Sequence, residues 1–128
     1  QTAKDKKIEK FYSNGSIDKD YPIVILQNSL SASASEIMAS TLREEANAYI
    51  IGDTSYGKGT VQELKDMGEL GQYKFTTKRW LTPNGTWIDG VGVVPDLKVS
   101  LTIDYLENPS FETDAQYKAA INYLNNLK

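Results

Sequence analysis

Residues 22–52 have the sequence PIVILQNSLSASASEIMASTLREEANAYIIG, and this stretch decides the fold class. The short apolar run at 22–26, rich in β-branched residues, predicts a strand buried on both faces. The pattern at 35–46 predicts an amphipathic helix, and AYIIG at 48–52 predicts a second buried strand. Strand, helix and strand in this order predict two parallel strands joined by a right-handed crossover.

The predicted helix has one apolar face and one charged face. Its apolar face is predicted to consist of Ile37, Met38, Thr41 and Leu42. These residues recur at the spacing of successive helical turns, so we expect them to pack against the sheet.

The segments on either side of this unit give weaker patterns. Ile8 and Phe11 in KIEKFY suggest one short strand near the N-terminus. After Gly68 the sequence alternates and is rich in β-formers, and Pro83-Asn84-Gly85 predicts a hairpin turn there. A C-terminal helix is predicted at about 113–127, with its apolar face at Tyr117, Ala120, Ile121 and Leu124 and a capping box between Thr113 and Gln116. Together these elements predict an α/β fold.

Composition excludes several classes of protein and of chemistry. The chain has 128 residues and a net charge of -3, which suits one domain and argues against a nucleic-acid partner. No apolar run approaches the ~20 residues that span a bilayer. Because the sequence has no Cys and no His, thiolate nucleophiles, histidine metal sites and a Ser-His-Asp triad within this chain are excluded. Any general base must be Lys, Asp, Glu or Tyr.

Lys58 admits two interpretations. Gly52 to Lys58 fits the phosphate-loop pattern G-x-x-x-x-G-K after a strand, but Gly59 stands where that motif has Ser or Thr, and Thr60 comes one residue late. A nucleotide partner is therefore disfavoured. In the second interpretation Lys58 is a general base for a serine.

The run SLSASAS between the first strand and the helix offers such a serine. Ser33 and Glu36 have capping-box spacing, so helix capping alone explains them. Ser33 also begins the helix, where free amides stabilise a developing oxyanion. Since parallel strands end at the same edge of the sheet, the topology permits Ser33 and Lys58 to meet. A lysine base needs burial, because its ordinary pKa is ~10.4 and catalysis needs ~7–8. Ile51, Tyr56 and Val61 are candidates to shield it.

These residues resemble the carboxyl-terminal processing proteases, also called tail-specific proteases, a family of serine peptidases with a Ser-Lys dyad. The resemblance rests on three motifs in the family's order: PIVILQN…SASASEIMAS, AYIIGDTSYGKGTVQ and WLTPNGTWIDGVGVVPDLKV. They extend from about residue 20 to residue 100. Leu30 departs from the pattern, since the family usually has Gly just before the serine run.

The resemblance implies a role for four residues. Ser33 would be the nucleophile and Lys58 the general base. Gln62 would orient the lysine, which needs a bend at Gly59 because four extended residues cover ~13 Å. The amide of Ala34 would be one oxyanion donor.

The resemblance also implies a fold and a setting. We expect a mixed sheet with flanking helices, similar to the ClpP/crotonase-like core of tail-specific proteases but incomplete. Residues 1–128 would form a partial peptidase domain, with the catalytic motifs within 20–100 and no PDZ domain. The segment giving the second oxyanion donor would lie upstream, so this chain alone is expected to be weakly active or inactive. No cofactor or metal is implied. The partner would be a polypeptide cut near its C-terminus, outside the cytoplasm of a bacterium; the oligomeric state is left open.

Other features admit simpler interpretations. A non-catalytic module that binds extended peptides by strand addition is the alternative function. Glu44 lies ~16 Å along the helix from Ser33, so we interpret it as a solvated helix charge. Trp80, Trp87 and Tyr73 fit ordinary sheet packing better than a substrate wall, and Arg79 fits an exposed strand charge.

Overall fold

The structure, a computed structural model, describes residues 8–12, 14–15 and 21–127. Its elements are β1 (Val24–Gln27), α1 (Ala34–Ala46), β2 (Tyr49–Gly52), β3 (Thr60–Asp66), a 3-10 turn (Gly68–Leu70), β4 (Gln72–Arg79), β5 (Leu97–Lys98), α2 (Ile103–Glu107) and α3 (Ala115–Asn125). The predicted α/β class is confirmed. Parallel and antiparallel strands form two sheets among these residues rather than one.

The predicted strand–helix–strand unit is present. β1 and β2 pair in parallel with Val24 opposite Tyr49 and Gln27 opposite Gly52. The short strand β5 pairs in parallel with the other side of β2, which gives the order β1-β2-β5. Because β1 and β2 run in the same direction, the loops that follow them leave the same edge of the sheet.

The core lies around the central strand β2. Ile50 and Ile51 are fully buried, and Ile50 joins Ala39, Ile88 and Val93 in one apolar cluster. β1 is less buried than predicted, because it is the edge strand among the described residues and Leu26 is 41% exposed.

Helix α1 forms as predicted but turns a different face inward. Its buried residues are Glu36, Ala39 and Ser40, whereas Ile37 and Met38 are exposed. Small side chains allow the helix to approach β2 and the loop that follows it closely. The predicted apolar face was therefore wrong at Ile37 and Met38, while Thr41 and Leu42 are half-buried. The fully buried position belongs to Glu36.

The antiparallel hairpin is formed by β3 and β4, which residues 67–71 connect. The Met67 amide closes this connection by donating to the Gly71 carbonyl oxygen at 2.8 Å. The hairpin predicted at Pro83-Asn84-Gly85 was wrong. A turn exists there, closed by the Thr82 amide on the Thr86 carbonyl oxygen at 2.9 Å, but no strands flank it.

The predicted N-terminal strand is absent from residues 8–12, which have no regular structure. Lys7 lies outside the described residues. Ile8 and Phe11, its predicted apolar members, are exposed. No helix in the described part of the chain combines the length and apolarity needed to cross a membrane.

The predicted C-terminal helix is present as α3, and it packs on β1 and β2. The cap differs from the predicted box: Asp114 is the N-cap and accepts from the Tyr117 amide at 3.0 Å. Gln116 is instead buried, and its Nε2 donates to the carbonyl oxygens of Gln27 at 3.2 Å and Val99 at 2.9 Å. The ring of Tyr123 stacks on that of Tyr49, with centroids 4.0 Å apart. On the predicted apolar face, Ala120 is buried and Ile121 is 40% exposed.

Candidate active site

The loop after β1 and the loop after β2 are in direct contact. Asn28 orders the first loop: its Oδ1 accepts from the Leu30 amide at 2.9 Å. The second loop is joined to it by the Tyr56 amide, which donates to the Ser31 carbonyl oxygen at 2.9 Å. The parallel topology has therefore brought the serine run and the glycine–lysine segment together.

Ser33 has an unusual backbone conformation. As the N-cap of α1 it has φ 58° and ψ -111°, although N-cap residues ordinarily lie in the β region. The caps of α2 and α3, Thr102 and Asp114, are ordinary, with φ -87° and -76°. A non-glycine residue in such a conformation costs about 1–3 kcal/mol, and such residues cluster at functional sites. Capping alone does not account for this strain.

Glu36 occupies the centre of the site. Its side chain is 1% exposed. Oε1 accepts from the Ser55 hydroxyl at 2.5 Å and the Gly57 amide at 2.6 Å. Oε2 accepts from the Ser33 amide at 2.7 Å and the Lys58 amide at 2.9 Å. One carboxylate oxygen thus bridges the main chain at Ser33 and Lys58.

These four donors decide the charge of Glu36. Burial acts to raise the pKa of its carboxyl, but the hydrogen bonds from the Ser55 hydroxyl and from the amides of Lys58, Gly57 and Ser33 outweigh burial and lower the pKa. The side chain is therefore a carboxylate at neutral pH. Its place in the first turn of α1 also suits the positive end of the helix dipole. The capping-box spacing signalled the bond to Ser33; nothing in the local sequence signalled the other three.

The main chain of Lys58 is held on both sides. Its amide binds Glu36, and its carbonyl oxygen accepts from the Trp80 indole Nε1 at 2.8 Å. The next residue, Gly59, donates to Asp89 Oδ1 at 3.0 Å and accepts from the Trp80 amide at 3.1 Å. The position of Lys58 is thus fixed by contacts with three separate segments.

The side chain of Lys58 lines an open cleft of 530 Å³. The other lining residues are Leu30, Ala32, Tyr56, Gly57, Thr60 and Asp89. Lys58 is exposed. Of its predicted shields, Ile51 is buried in the core, while Tyr56 and Val61 are 65% and 36% exposed. The described residues do not give the amine the dry surrounding that a lysine base needs.

Gln62 and Ala34 occupy different settings. Gln62 is exposed on β3, and no hydrogen bond joins its side chain to Lys58 in the described ranges. A β-bulge next to it leaves Thr77 as the extra residue of β4. Between residues 21 and 127 no hydrogen bond uses the Ala34 amide, as expected for the first turn of a helix.

Glu44 and the aromatic residues have structural contacts. Glu44 is half-buried, and its Oε2 accepts from the Asn84 amide at 2.7 Å in an exposed hydrogen bond, so this helix charge also binds the turn at 83–85. The guanidinium of Arg79 lies 4.1 Å from the centroid of the Trp87 ring, a cation–π geometry. Tyr73 is exposed and stacks on Phe75.

A phosphate loop is inconsistent with this geometry. That motif leads from a strand into a helix, whereas here strand β3 follows. The amides of Gly57 and Lys58, which would have to bind phosphate, bind the Glu36 carboxylate instead. The described residues also contain no group of three or more acidic side chains placed to hold a metal ion.

Comparisons with known proteins agree on one family. Residues 1–99 match the model of Peptidase family S41. The carboxy-terminal processing protease CtpB of Bacillus subtilis (strain 168) is 43% identical over 95 residues, which is 74% of this chain and 19% of the relative. CtpA of the same organism is 43% identical over 98 residues, 77% of this chain and 21% of the relative.

Among solved structures, a photosystem II D1 C-terminal processing protease aligns with a TM-score of 0.61 and 36% identity, covering 66% of this chain and 22% of that one. The chain spans about a fifth of the length of the curated relatives it matches. It belongs to peptidase family S41, the family of the carboxy-terminal processing serine proteases.

Proposed function

We propose that this chain supplies the nucleophile and the general base of a peptidase that hydrolyses peptide bonds, with Ser33 as nucleophile and Lys58 as base. The observation that supports this most directly is the Glu36 bridge, in which one oxygen accepts from the amides of both residues. The strained backbone of Ser33 points the same way, because an ordinary helix cap does not need it.

In the proposed mechanism Ser33 Oγ attacks the carbonyl carbon of the scissile bond while its proton passes to the neutral Nζ of Lys58. The Ala34 amide donates to the oxyanion that forms. The C–N bond then breaks, and Nζ returns the proton to the leaving amine. Water then attacks the ester on Ser33 while Lys58 Nζ takes a proton from it; the C–O bond to Ser33 Oγ breaks, and Nζ returns the proton to Oγ. We assign Gln62 the role of orienting the Lys58 amine.

The substrates we propose are polypeptides cut near their C-termini, outside the cytoplasm of a bacterium. The relatives' names describe carboxy-terminal processing, and the open cleft beside Lys58 leaves room for an extended chain.

The test is peptide hydrolysis by the intact protein and by its Ser33→Ala and Lys58→Ala variants. Each variant should lose at least about 1,000-fold in kcat. Turnover by Ser33→Ala at the rate of the unchanged protein would refute the proposal.

Because Lys58 is exposed in this chain, we propose that the 128 residues alone hydrolyse peptide slowly or not at all. The comparison is between this chain and a longer one that includes the segment expected to give the second oxyanion donor. Equal rates for the two would contradict this part of the proposal.

A second candidate function is a non-catalytic module that binds extended peptides. The exposure of Lys58 and the edge position of β1 among the described strands favour it, since an unpaired strand edge accepts a peptide by strand addition. Peptide binding by the intact protein without any turnover, unchanged in Ser33→Ala, is the result that distinguishes this function from the first.

A further inference from the structure

Glu36 makes more contacts than a helix cap requires. A capping glutamate needs one partner, the amide of the N-cap residue, and Glu36 has that bond to Ser33. Its three other donors, Ser55, Gly57 and Lys58, belong to the loop after β2. The carboxylate therefore joins two loops that are far apart in sequence.

The two bonds that matter most share one atom. Oε2 accepts from the Ser33 amide at 2.7 Å and from the Lys58 amide at 2.9 Å. The separation of these two backbone nitrogens is therefore limited by two short hydrogen bonds. A movement of the carboxylate changes the place of both residues at once.

The surroundings make this bridge stiff. Glu36 is buried in the first turn of α1, and Ser55, which holds Oε1, also accepts from the Val93 amide at 2.7 Å. On the far side of Lys58, the Trp80 indole holds the carbonyl oxygen. The loop after β2 therefore has little freedom to move toward α1 and restore these hydrogen bonds if the side chain at position 36 is shortened.

We propose that Glu36 is a positioning residue that sets the distance between the Ser33 hydroxyl and the Lys58 amine through the main chain of both. This inference rests on the proposed peptidase function. Glu36 touches neither substrate nor reacting atoms in this scheme. It acts through the length of its side chain, which lets one oxygen bind the amides of both Ser33 and Lys58.

Two substitutions separate the effect of the side-chain length of Glu36 from the effect of its negative charge. Glu36→Gln keeps the length of the side chain: its oxygen can still accept from the Ser33 and Lys58 amides, while its NH2 group faces the Ser55 hydroxyl oxygen, which can accept. The Gly57 amide and the Ser55 hydroxyl proton lose their acceptor. Glu36→Asp keeps the charge but shortens the side chain by one methylene, so the carboxylate cannot reach both loops.

The experiment measures kcat and KM of the intact protein on a quenched-fluorescence peptide. We expect Glu36→Asp to lower kcat by about 100-fold, the effect of misplacing a catalytic group by about 1 Å. Glu36→Gln should stay within about tenfold of the unchanged protein, and KM should change by less than about threefold in both.

The matched control is Asp96→Asn. Asp96 also accepts a main-chain amide, that of Ile50 at 2.8 Å, and pairs with Arg43 at 2.6 Å, but it does not touch Ser33 or Lys58. Its kcat should stay within about twofold.

Each outcome decides between two claims. If Glu36→Gln has the lower kcat of the two Glu36 variants, activity depends on the charge of residue 36 rather than on its side-chain length, and the inference is overturned. A loss in Asp96→Asn as large as in Glu36→Asp also overturns it, because lost stability then explains the effect. Both results leave the peptidase proposal standing, provided that Ser33→Ala is inactive; an active Ser33→Ala variant refutes the peptidase proposal itself.

Discussion

Ser33 combines a helix-cap position with a backbone conformation that caps do not need. Its φ of 58° differs from the values of -87° and -76° at Thr102 and Asp114, the other two α-helix caps in the described residues. The free energy stored in this conformation must be offset by contacts around it, and the bond from its amide to Glu36 is one of them. Stability measurements can detect the strain independently of any activity.

Replacing Ser33 by Gly should give a more stable chain than replacing it by Ala. Glycine adopts positive φ without steric cost, so Ser33→Gly should exceed Ser33→Ala by about 1 kcal/mol in free energy of unfolding. Urea denaturation measures the difference. At Ser35, an exposed position inside α1, the order should reverse, because Gly weakens a helix relative to Ala. Equal stability of the two Ser33 variants would show that no strain is stored there.

The stability of the chain should depend on the ionisation of Glu36. Since the pKa of Glu36 is lowered in the folded chain, folding favours the carboxylate. Its contribution is complete above the ordinary glutamate pKa of about 4.3 and is lost as the pH falls through the lower folded pKa. Acidification should therefore reduce the free energy of unfolding more in the unchanged chain than in Glu36→Gln. Parallel pH profiles from urea denaturation would contradict this.

For single residues, the sequence predicted where Ser33 and Lys58 lie in the fold better than it predicted which side chains hold the site together. Ser33 at a helix start and Lys58 after the next strand follow from local patterns and parallel topology. Three of the four contacts of Glu36 do not, because their donors are contributed by a loop about twenty residues away. The helix pattern even assigned the inner face to Ile37 and Met38, since periodicity scores apolar residues and cannot foresee that a carboxylate will find four donors.

Among the elements, the loop after β2 packs directly on the loop at 88–93. Gly57 has φ 87°, and a Cβ there would lie 2.8 Å from the Gly92 nitrogen and 3.0 Å from the Val91 nitrogen. Gly85 has nearly the same φ, 85°, but nothing within 4 Å of a Cβ. The two glycines therefore separate backbone strain from close packing.

Gly57→Ala should be more destabilising than Gly85→Ala. Strain at positive φ costs each variant about 1–2 kcal/mol, and overpacking adds about 1–3 kcal/mol to Gly57→Ala alone. Thermal or urea unfolding of the two variants gives the difference directly. If both lose the same stability, the contact between the two loops is not tight.

The misplaced hairpin shows a limit of turn chemistry. The turn at 83–85 forms as its residues predict, but its flanks do not pair with each other. The Trp80 indole donates to the Lys58 carbonyl oxygen and the Trp87 indole to the Gly59 carbonyl oxygen, so both flanks pack on the loop after β2. A turn motif specifies local dihedral angles, whereas strand pairing depends on what else the flanking side chains can reach.

At the scale of the whole molecule, the C-terminal helix α3 packs on the sheet. The family match ends at residue 99, yet α3 beyond it packs on β1 and β2. Gln116 makes this contact specific, because its buried Nε2 satisfies the carbonyl oxygens of Gln27 and Val99. The helix was predictable from its period; the docking through a glutamine was not, because its partners lie in two distant segments.

Gln116→Leu should therefore destabilise the chain by about 1–3 kcal/mol, since a leucine leaves the Val99 carbonyl oxygen without this donor. Asn122→Leu is the control, on the exposed side of the same helix, where a change within about 0.5 kcal/mol is expected. Urea denaturation compares them. Similar losses at both positions would mean that α3 is not anchored through Gln116.

The ring stack between Tyr49 and Tyr123, 4.0 Å between centroids and 8° from parallel, also supplies a built-in spectroscopic signal. Each ring lies in the shielding cone of the other, so the aromatic protons of both tyrosines should resonate upfield in NMR spectra. Detachment of helix α3 from the sheet would abolish those upfield shifts, while the signals of the buried isoleucines in β2 would persist. Undocking of the last helix and global unfolding can therefore be observed as separate events in one unlabelled sample.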